Sequence, residues 1–373
     1  MANTQARPKI LPLTSIRFFA ALYVMLFHSV PTIPSQSDHH GVLARILMLG
    51  NIAVPFFFLL SGFILAIVYL ANSTAIDKRK FYLARFARIY PMYVAAMLLD
   101  LPHFLYTQRY VTHETWRHTG AVILTATALM QAWFVSLLGL NPPGWSLSAE
   151  AFFYLLFPFI GTIVWRMRER MLLPFAVFVY IGGTLLVQII SYTNVGWWQQ
   201  ACSPLEHLYT FVLGICVAKL FVWIRADEVR LRTLQCYAPL LLLGSLAAFF
   251  AVPIFEISVR EQLLQHGVEM PLFALILLAL ASGNVVLSTL FSANWLVVLG
   301  EASFALYLIH VPLNSFMRRP IERYGMPAFL IYVALTIGLS VACIQWLETP
   351  ARRWIMEKER TRRLKTEATS VMA

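Results

Sequence analysis

Residues 11–30 read LPLTSIRFFAALYVMLFHSV, an apolar run of membrane-spanning length whose only basic members are Arg17 and His28. The ten residues between them, FFAALYVMLF, are almost wholly apolar. Eleven helical steps turn about 1100°, within ~20° of three full turns, so both side chains fall on one face, roughly 16 Å apart along the axis. An arginine inside a membrane span is costly and marks a functional position. Histidine is the side chain best suited to moving protons near neutral pH. The run is longer than a typical secretory h-region and lacks an A-x-A site, so it is expected to be retained as a span.

The remaining composition extends that reading to the whole chain. Of 373 residues, 59% are hydrophobic and 13% are charged, whereas soluble domains carry about a quarter charged residues. The expectation is an all-α polytopic membrane protein. Its 29 Lys+Arg against 18 Asp+Glu gather in short loops, where basic residues set topology and meet anionic lipids or ligand phosphates. No nucleic-acid partner is expected. Cys202, Cys216, Cys236 and Cys343 form no CxxC motif and read as buried thiols. The Asp38-His39-His40 run reads as a solvated loop, because adjacent residues do not converge on a metal by themselves. No metal is expected.

Further apolar runs lie near 50–71, 90–106, 119–139, 147–165, 171–192, 205–224, 237–255, 268–290, 295–316 and 327–347. The segments Asp77–Arg88, Trp165–Met171 and Ile224–Arg232, and the tail from Arg352, are basic and predicted to be cytoplasmic. Both termini then lie inside, and the number of spans is even. One run between the first two basic loops must fail to cross. The run 119–139 follows a polar stretch and ends at Gly139-Leu140-Asn141-Pro142-Pro143-Gly144, so it is predicted to be re-entrant or interfacial, leaving about ten transmembrane helices. Arg318, Arg319 and Arg323 fall outside in this scheme, against the charge rule. The expected organisation is a cytoplasmic tail over 1–10, a membrane domain over 11–352 and a basic cytoplasmic tail over 353–373.

Several polar residues sit where apolar ones would suffice. Glu150 lies near the start of its span with Tyr154 one turn further on the same face, and an ionised carboxylate there requires a cationic or protonated partner. Ser303, Tyr307 and His310 share a face of a later span. Counted from the ends of their runs, His28, Glu150 and His310 reach similar outward depths, and a glutamate beside a histidine could orient its ring as a general base. Tyrosines near a membrane surface also serve as interfacial anchors, and intramembrane serines commonly bond their own helix backbone. On the inner side Arg85 and Arg88 are helical neighbours suited to bidentate phosphate binding. Ser61 and Gly62 are small enough for close helix packing, or to leave room for a slender ligand.

These motifs occur in an order that resembles one family. They are Arg17-x10-His28, Ser61-Gly62-Phe63, Arg85-x-x-Arg88-Ile89-Tyr90-Pro91, Trp145-Ser146-Leu147-Ser148-x-Glu150-x-x-x-Tyr154, Ser303-x-x-x-Tyr307-Leu308-Ile309-His310 and Glu348-Thr349-Pro350. Together they are similar to the acyltransferase 3 family of membrane-bound acyltransferases, which includes bacterial O-antigen and exopolysaccharide O-acetylases. The resemblance implies about ten spans and transfer of an acyl group, usually acetyl from cytosolic acetyl-CoA, to a hydroxyl of an envelope or exported glycan or a lipid-linked saccharide. It implies a multi-pass protein of the bacterial inner (cytoplasmic) membrane, surrounded by membrane lipids, in a form without a fused extracytoplasmic domain.

Combined with the residue chemistry, the resemblance gives a working site. Arg17, Arg85 and Arg88 would hold the CoA phosphates, and the pantetheine arm would pass Ser61 and Gly62. His28, oriented by Glu150 or another carboxylate, would be the general base, with Tyr154, Tyr307 or His310 donating to the oxyanion. An acyl-enzyme on His28 or Ser148 is the alternative to direct transfer. The competing class is a proton-coupled transporter of a glycan precursor or small anion; the absence of an evident inverted repeat speaks against it. Glu206 and His207, near Gly214, are left without an assigned role.

Overall fold

In the computed structural model, residues 10–32, 41–72, 75–108, 115–191, 202–255, 257 and 267–372 are described, and the regular structure among them is entirely helical. The Asp38–His40 run lies outside the described residues. The first half comprises α1 (Leu11–Ser29), α2 (Val42–Met48), α3 (Ala53–Tyr69), α4 (Lys78–Gln108), α5 (Thr115–Thr127), α6 (Gly144–Arg166) and α7 (Glu169–Ser191). The second half comprises α8 (Pro204–Arg225), α9 (Glu228–Ile254), α10 (Glu269–Ala281), α11 (Val285–Phe291), α12 (Asn294–Tyr324), α13 (Met326–Cys343) and α14 (Thr349–Met372). A π-helical turn, Ile344–Glu348, joins α13 to α14.

Among the described residues, eight helical stretches are long and apolar enough to cross a membrane, and α10 with α11 makes a ninth, bent by 94°. The chain is a multi-pass membrane protein. Against the expected ten, α4 is the remaining candidate. It has 31 residues, but Arg85, Arg88 and Asp100 make it less apolar than the others. The bend between α10 and α11 falls at Ser282-Gly283-Asn284, where Gly283 has φ +76° and the Asn284 side chain caps α11 through Leu287 N–H. The exposed faces carry Leu98, Leu155, Ile163, Phe178, Leu240, Leu243 and Ile331, as lipid contact requires.

The 119–139 run folds as predicted for a segment that does not cross. Helix α5 has 13 residues, about 20 Å of rise against a hydrocarbon core of about 30 Å. Irregular backbone follows, and protein groups answer it. Tyr93 OH donates to Ala126 O and to Gln131 Oε1, each at 3.0 Å, and Gln131 Nε2 donates to Leu140 O at 2.7 Å. Asn141 N–H donates to Asp100 Oδ2 at 2.7 Å. Asp100, Gln131 and Asn141 are all buried, the condition under which non-helical backbone is tolerated away from water. Helix α6 therefore starts on a buried plug rather than at the lipid surface.

Two helix pairs approach closely through glycine. A Cβ on Gly62 would lie 2.1 Å from Phe211 O, and one on Gly214 would lie 2.0 Å from Leu59 O, which fixes α3 against α8. A Cβ on Gly300 would lie 2.1 Å from Thr14 O, which fixes α12 against α1. The turn between α6 and α7 is tied to α8 by Lys219 Nζ, which donates to Val164 O at 3.1 Å, to Trp165 O at 3.0 Å and to Met167 O. Arg318, Arg319 and Arg323, awkward for the charge rule, lie on an exposed extension of α12 beyond His310, where Arg318 Nε pairs with Glu322 Oε1 at 3.0 Å. All four cysteines are free thiols.

Because the obstructing atoms at Gly214 are backbone, Gly214→Ala should destabilise the protein by about 1–3 kcal/mol. Gly244→Ala, with no neighbour within 4 Å of the new Cβ, should not. Thermal unfolding of both variants in detergent measures the difference.

Candidate active site

Five helices, α1, α3, α4, α6 and α12, enclose a cavity of about 150 Å³. Helical spacing presents the polar groups to it in pairs: Arg85 and Arg88 from α4, Glu150 and Tyr154 from α6, and Ser303 and Tyr307 from α12. Arg17 from α1, Ser61 from α3 and Ser146 from α6 complete the polar lining, and Phe57, Phe58 and Phe304 supply apolar wall. Eight of the residues singled out in the sequence (Arg17, Ser61, Arg85, Arg88, Glu150, Tyr154, Ser303 and Tyr307) thus meet in one place.

The carboxylates organise this cavity. Glu150 Oε1 accepts from Ser61 Oγ at 2.9 Å and from Tyr154 OH, and lies within electrostatic range of Arg17. Glu348, 3% exposed, forms an ion pair with Arg88, whose guanidinium also lies over the Phe304 ring at 5.6 Å. Arg17 is in range of Glu348 as well. Arg85 is held differently. Its Nη2 donates to Tyr69 OH at 3.3 Å, and its guanidinium carbon lies 5.6, 5.9 and 5.8 Å from the ring centroids of Tyr69, Phe81 and Tyr154. Arg85 Nε is buried and has no hydrogen-bond partner.

The two histidines form a separate site beside the cavity. His28 Nδ1 lies 3.1 Å from His310 Nε2 and 3.1 Å from Val24 O. His310 is fully buried, and Tyr332 OH donates to its carbonyl at 3.0 Å. His28 is exposed. Tyr307 connects the two sites. It lines the cavity, its hydroxyl lies 2.7 Å from Ser146 Oγ, and its ring centroid is 5.9 Å from that of His310. With hydrogen on Nδ1, His28 keeps Nε2 as a proton acceptor.

Three expectations require correction. Gly62 does not line the cavity: it faces α8 at Phe211 O, one residue and about 100° of helical rotation away from Ser61. Glu150 does not orient His28, whose ring partner is His310. Nor do Glu150 and the histidines share a depth, since Glu150 belongs with Arg17 in the cavity while neither histidine lines it. The buried plug before Gly144 is the reason, because it seats α6 deeper than its apolar run suggests. Ser148 is buried outside the cavity lining, and Ser303 bonds its own helix at Gly300 O, 2.7 Å.

Sequence reasoning gave no role to Glu348, Ser146 or Tyr69. For Glu348 the signal was present, as a carboxylate at the end of an apolar run requires a cation. His207 does not line the cavity but packs behind Phe58, its ring centroid 5.1 Å from Phe58 and 5.6 Å from Trp145. Glu206 is buried beside it at the start of α8 and does not line the cavity.

Glu348→Ala should cost about 3 kcal/mol by leaving Arg88 without its carboxylate. Arg88→Met combined with Glu348→Leu should recover most of that loss. A double-mutant cycle on unfolding in detergent measures the coupling, and additive losses would show that there is none.

Comparison with known proteins places this arrangement. A family model described as an acyltransferase domain matches residues 13–345. The chain is similar to the acyltransferase MdmB of Streptomyces mycarofaciens, with 30% identity over 325 residues, covering 80% of this chain and 77% of that protein. It is also similar to the O-acetyltransferase OatA of Staphylococcus aureus, with 22% identity over 367 residues, covering 93% of this chain and 58% of that protein. No solved structure matches the chain.

Proposed function

Because the chain belongs to the acyltransferase 3 family of membrane acyltransferases, we propose that it takes acetyl from cytosolic acetyl-CoA and transfers it across the bilayer to a hydroxyl of an envelope or exported glycan. The observation that carries this reading is the placement of two unlike sites along α1. An arginine-rich cavity surrounds Arg17, and His28, exposed and paired with the buried His310, stands further along the helix. In this reading the cavity lies on the cytosolic side of a bacterial inner membrane and His28 on the outer side, which the basic loops support. That orientation sets a 1–10 tail and a 353–373 tail in the cytosol, on either side of the membrane domain 11–352.

In this reading the donor phosphates bind at the arginine-rich end of the cavity that holds Arg85 and Arg88, with Arg17 deeper inside. The pantetheine arm passes Ser61 and directs its thioester past Tyr307 toward the histidines. His28 Nε2 takes the proton of the acceptor hydroxyl as that oxygen bonds to the thioester carbonyl carbon. Tyr307 donates to the oxyanion that forms. As the oxyanion collapses the carbon–sulfur bond breaks, CoA leaves as thiolate, and the proton held on His28 passes to it. His310 positions the His28 ring, and Tyr154 and Ser61 hold the Glu150 carboxylate. The acceptor is an envelope glycan or lipid-linked saccharide, and the relationship to an O-acetyltransferase supports a hydroxyl as the group acylated.

Purified protein given acetyl-CoA and the glycan fraction of its host should yield free CoA and an O-acetylated product. His28→Ala should lose about two to four orders of magnitude in transfer while still binding CoA, and near-normal turnover would refute the base role. Arg85→Ala should weaken CoA binding about tenfold or more. An unchanged affinity would remove Arg85 from the donor site.

A further inference from the structure

Helices α4 and α14 run antiparallel at the basic end and are held by two ion pairs. Arg79 Nε meets Glu359 Oε1 at 3.2 Å, and Arg88 pairs with Glu348. Between these rungs, interpolation places about residue 352 opposite Arg85. That residue is Arg352, an exposed side chain within electrostatic range of Arg85, Arg88, Glu348 and Tyr69. The rung between two ion pairs is therefore arginine against arginine.

Such a pairing is unfavourable unless an anion joins it. Among the described residues, neither Arg85 nor Arg352 forms an ion pair. Arg85 also has its buried, unpartnered Nε, and its aromatic surround fixes the guanidinium in place. Arg88, by contrast, is already answered by Glu348. Across the cavity and the adjoining α4–α14 seam, four guanidinium groups (Arg17, Arg85, Arg88 and Arg352) are accompanied by two carboxylates, Glu150 in range of Arg17 and Glu348 in range of Arg17, Arg88 and Arg352, which leaves two positive charges in excess. A doubly charged phosphate group has the complementary charge and the acceptor oxygens that two guanidinium forks require.

We propose that Arg352 is a donor-binding residue, and that it and Arg85, rather than Arg85 and Arg88, form the clamp for the donor's diphosphate. This rests on the reading of coenzyme A as acyl carrier. Arg88 is then the arginine that the protein neutralises for itself, and Glu348 is the residue that keeps it out of the clamp. An inner-leaflet lipid phosphate offers the same chemistry, and the test separates the two sources.

The full-length protein is placed in nanodiscs of phosphatidylcholine alone, and binding of coenzyme A and of pantetheine, which lacks the diphosphate, is measured by calorimetry. Arg352→Ala and Arg85→Ala should each weaken CoA binding about tenfold or more and leave pantetheine binding unchanged. Arg352→Lys, which keeps the charge but not the fork, should bind CoA more tightly than Arg352→Ala and less tightly than the wild type, and Arg353→Ala on the same helix should match the wild type. Wild-type affinity for CoA in both Arg352 variants, with Arg85→Ala impaired, would overturn the assignment while leaving the donor reading intact. An equal loss in Arg353→Ala would also overturn it, by reducing the effect to general charge. No CoA binding by the wild type would sink the donor reading itself. In discs containing about a third phosphatidylglycerol, wild-type CoA affinity should hold; a fall that Arg352→Ala does not share would assign the clamp to lipid.

Discussion

A guanidinium packed among apolar helices needs an opposite charge, because desolvating it unpaired costs several kcal/mol. Much of this protein's architecture answers that requirement. Arg17 from the first helix and Arg88 from the fourth are balanced by Glu150 and Glu348, which come from α6 and from the π-helical turn before α14. Satisfying those two cations draws together segments from both ends of the sequence. The space left between them is the cavity. Arg85, held by aromatic rings instead of a carboxylate, is the position where the protein leaves its own charge unanswered.

The second constraint is depth. The irregular segment between α5 and α6 is buried at Gln131, Ala132, Leu140 and Asn141, where Tyr93, Asp100 and Gln131 bond it, so α6 begins within the protein. This sinks Glu150 and Tyr154 to the level of Arg17 and leaves the histidines above them. Tyr307 remains in contact with both levels. The histidine pair and the arginine-lined cavity are thus kept apart, with one tyrosine at the boundary.

What could be read from the sequence follows from helical periodicity. The shared faces of Arg85 with Arg88, Glu150 with Tyr154 and Ser303 with Tyr307 are intervals within one helix, and each pair reaches the cavity together. Lateral pairing is not encoded in such intervals. His28 and His310 are 282 residues apart, and Arg88 and Glu348 are 260 apart. Only the packing of α1 on α12 and of α4 on the last helices brings them together. Depth fails for a similar reason, since an apolar run gives a span's length but not what lies beneath its first residue. Ser61 and Gly62 mark the limit: one step around α3 separates a cavity wall from a helix contact, and composition alone cannot assign the two faces.

The ion pair between Arg88 and Glu348 also has a consequence for biogenesis. Chains are made from the N-terminus, so Arg17 and Arg88 enter the membrane long before the carboxylate at residue 348 has been synthesised. Until then Glu150 is available to Arg17, but Arg88 has only lipid headgroups or water to solvate it. The cavity cannot take its final form before the last span arrives. Completion of the chain and maturation of the cavity are therefore one event, and a ribosome stalled before residue 348 would leave an inserted protein with Arg88 unpaired.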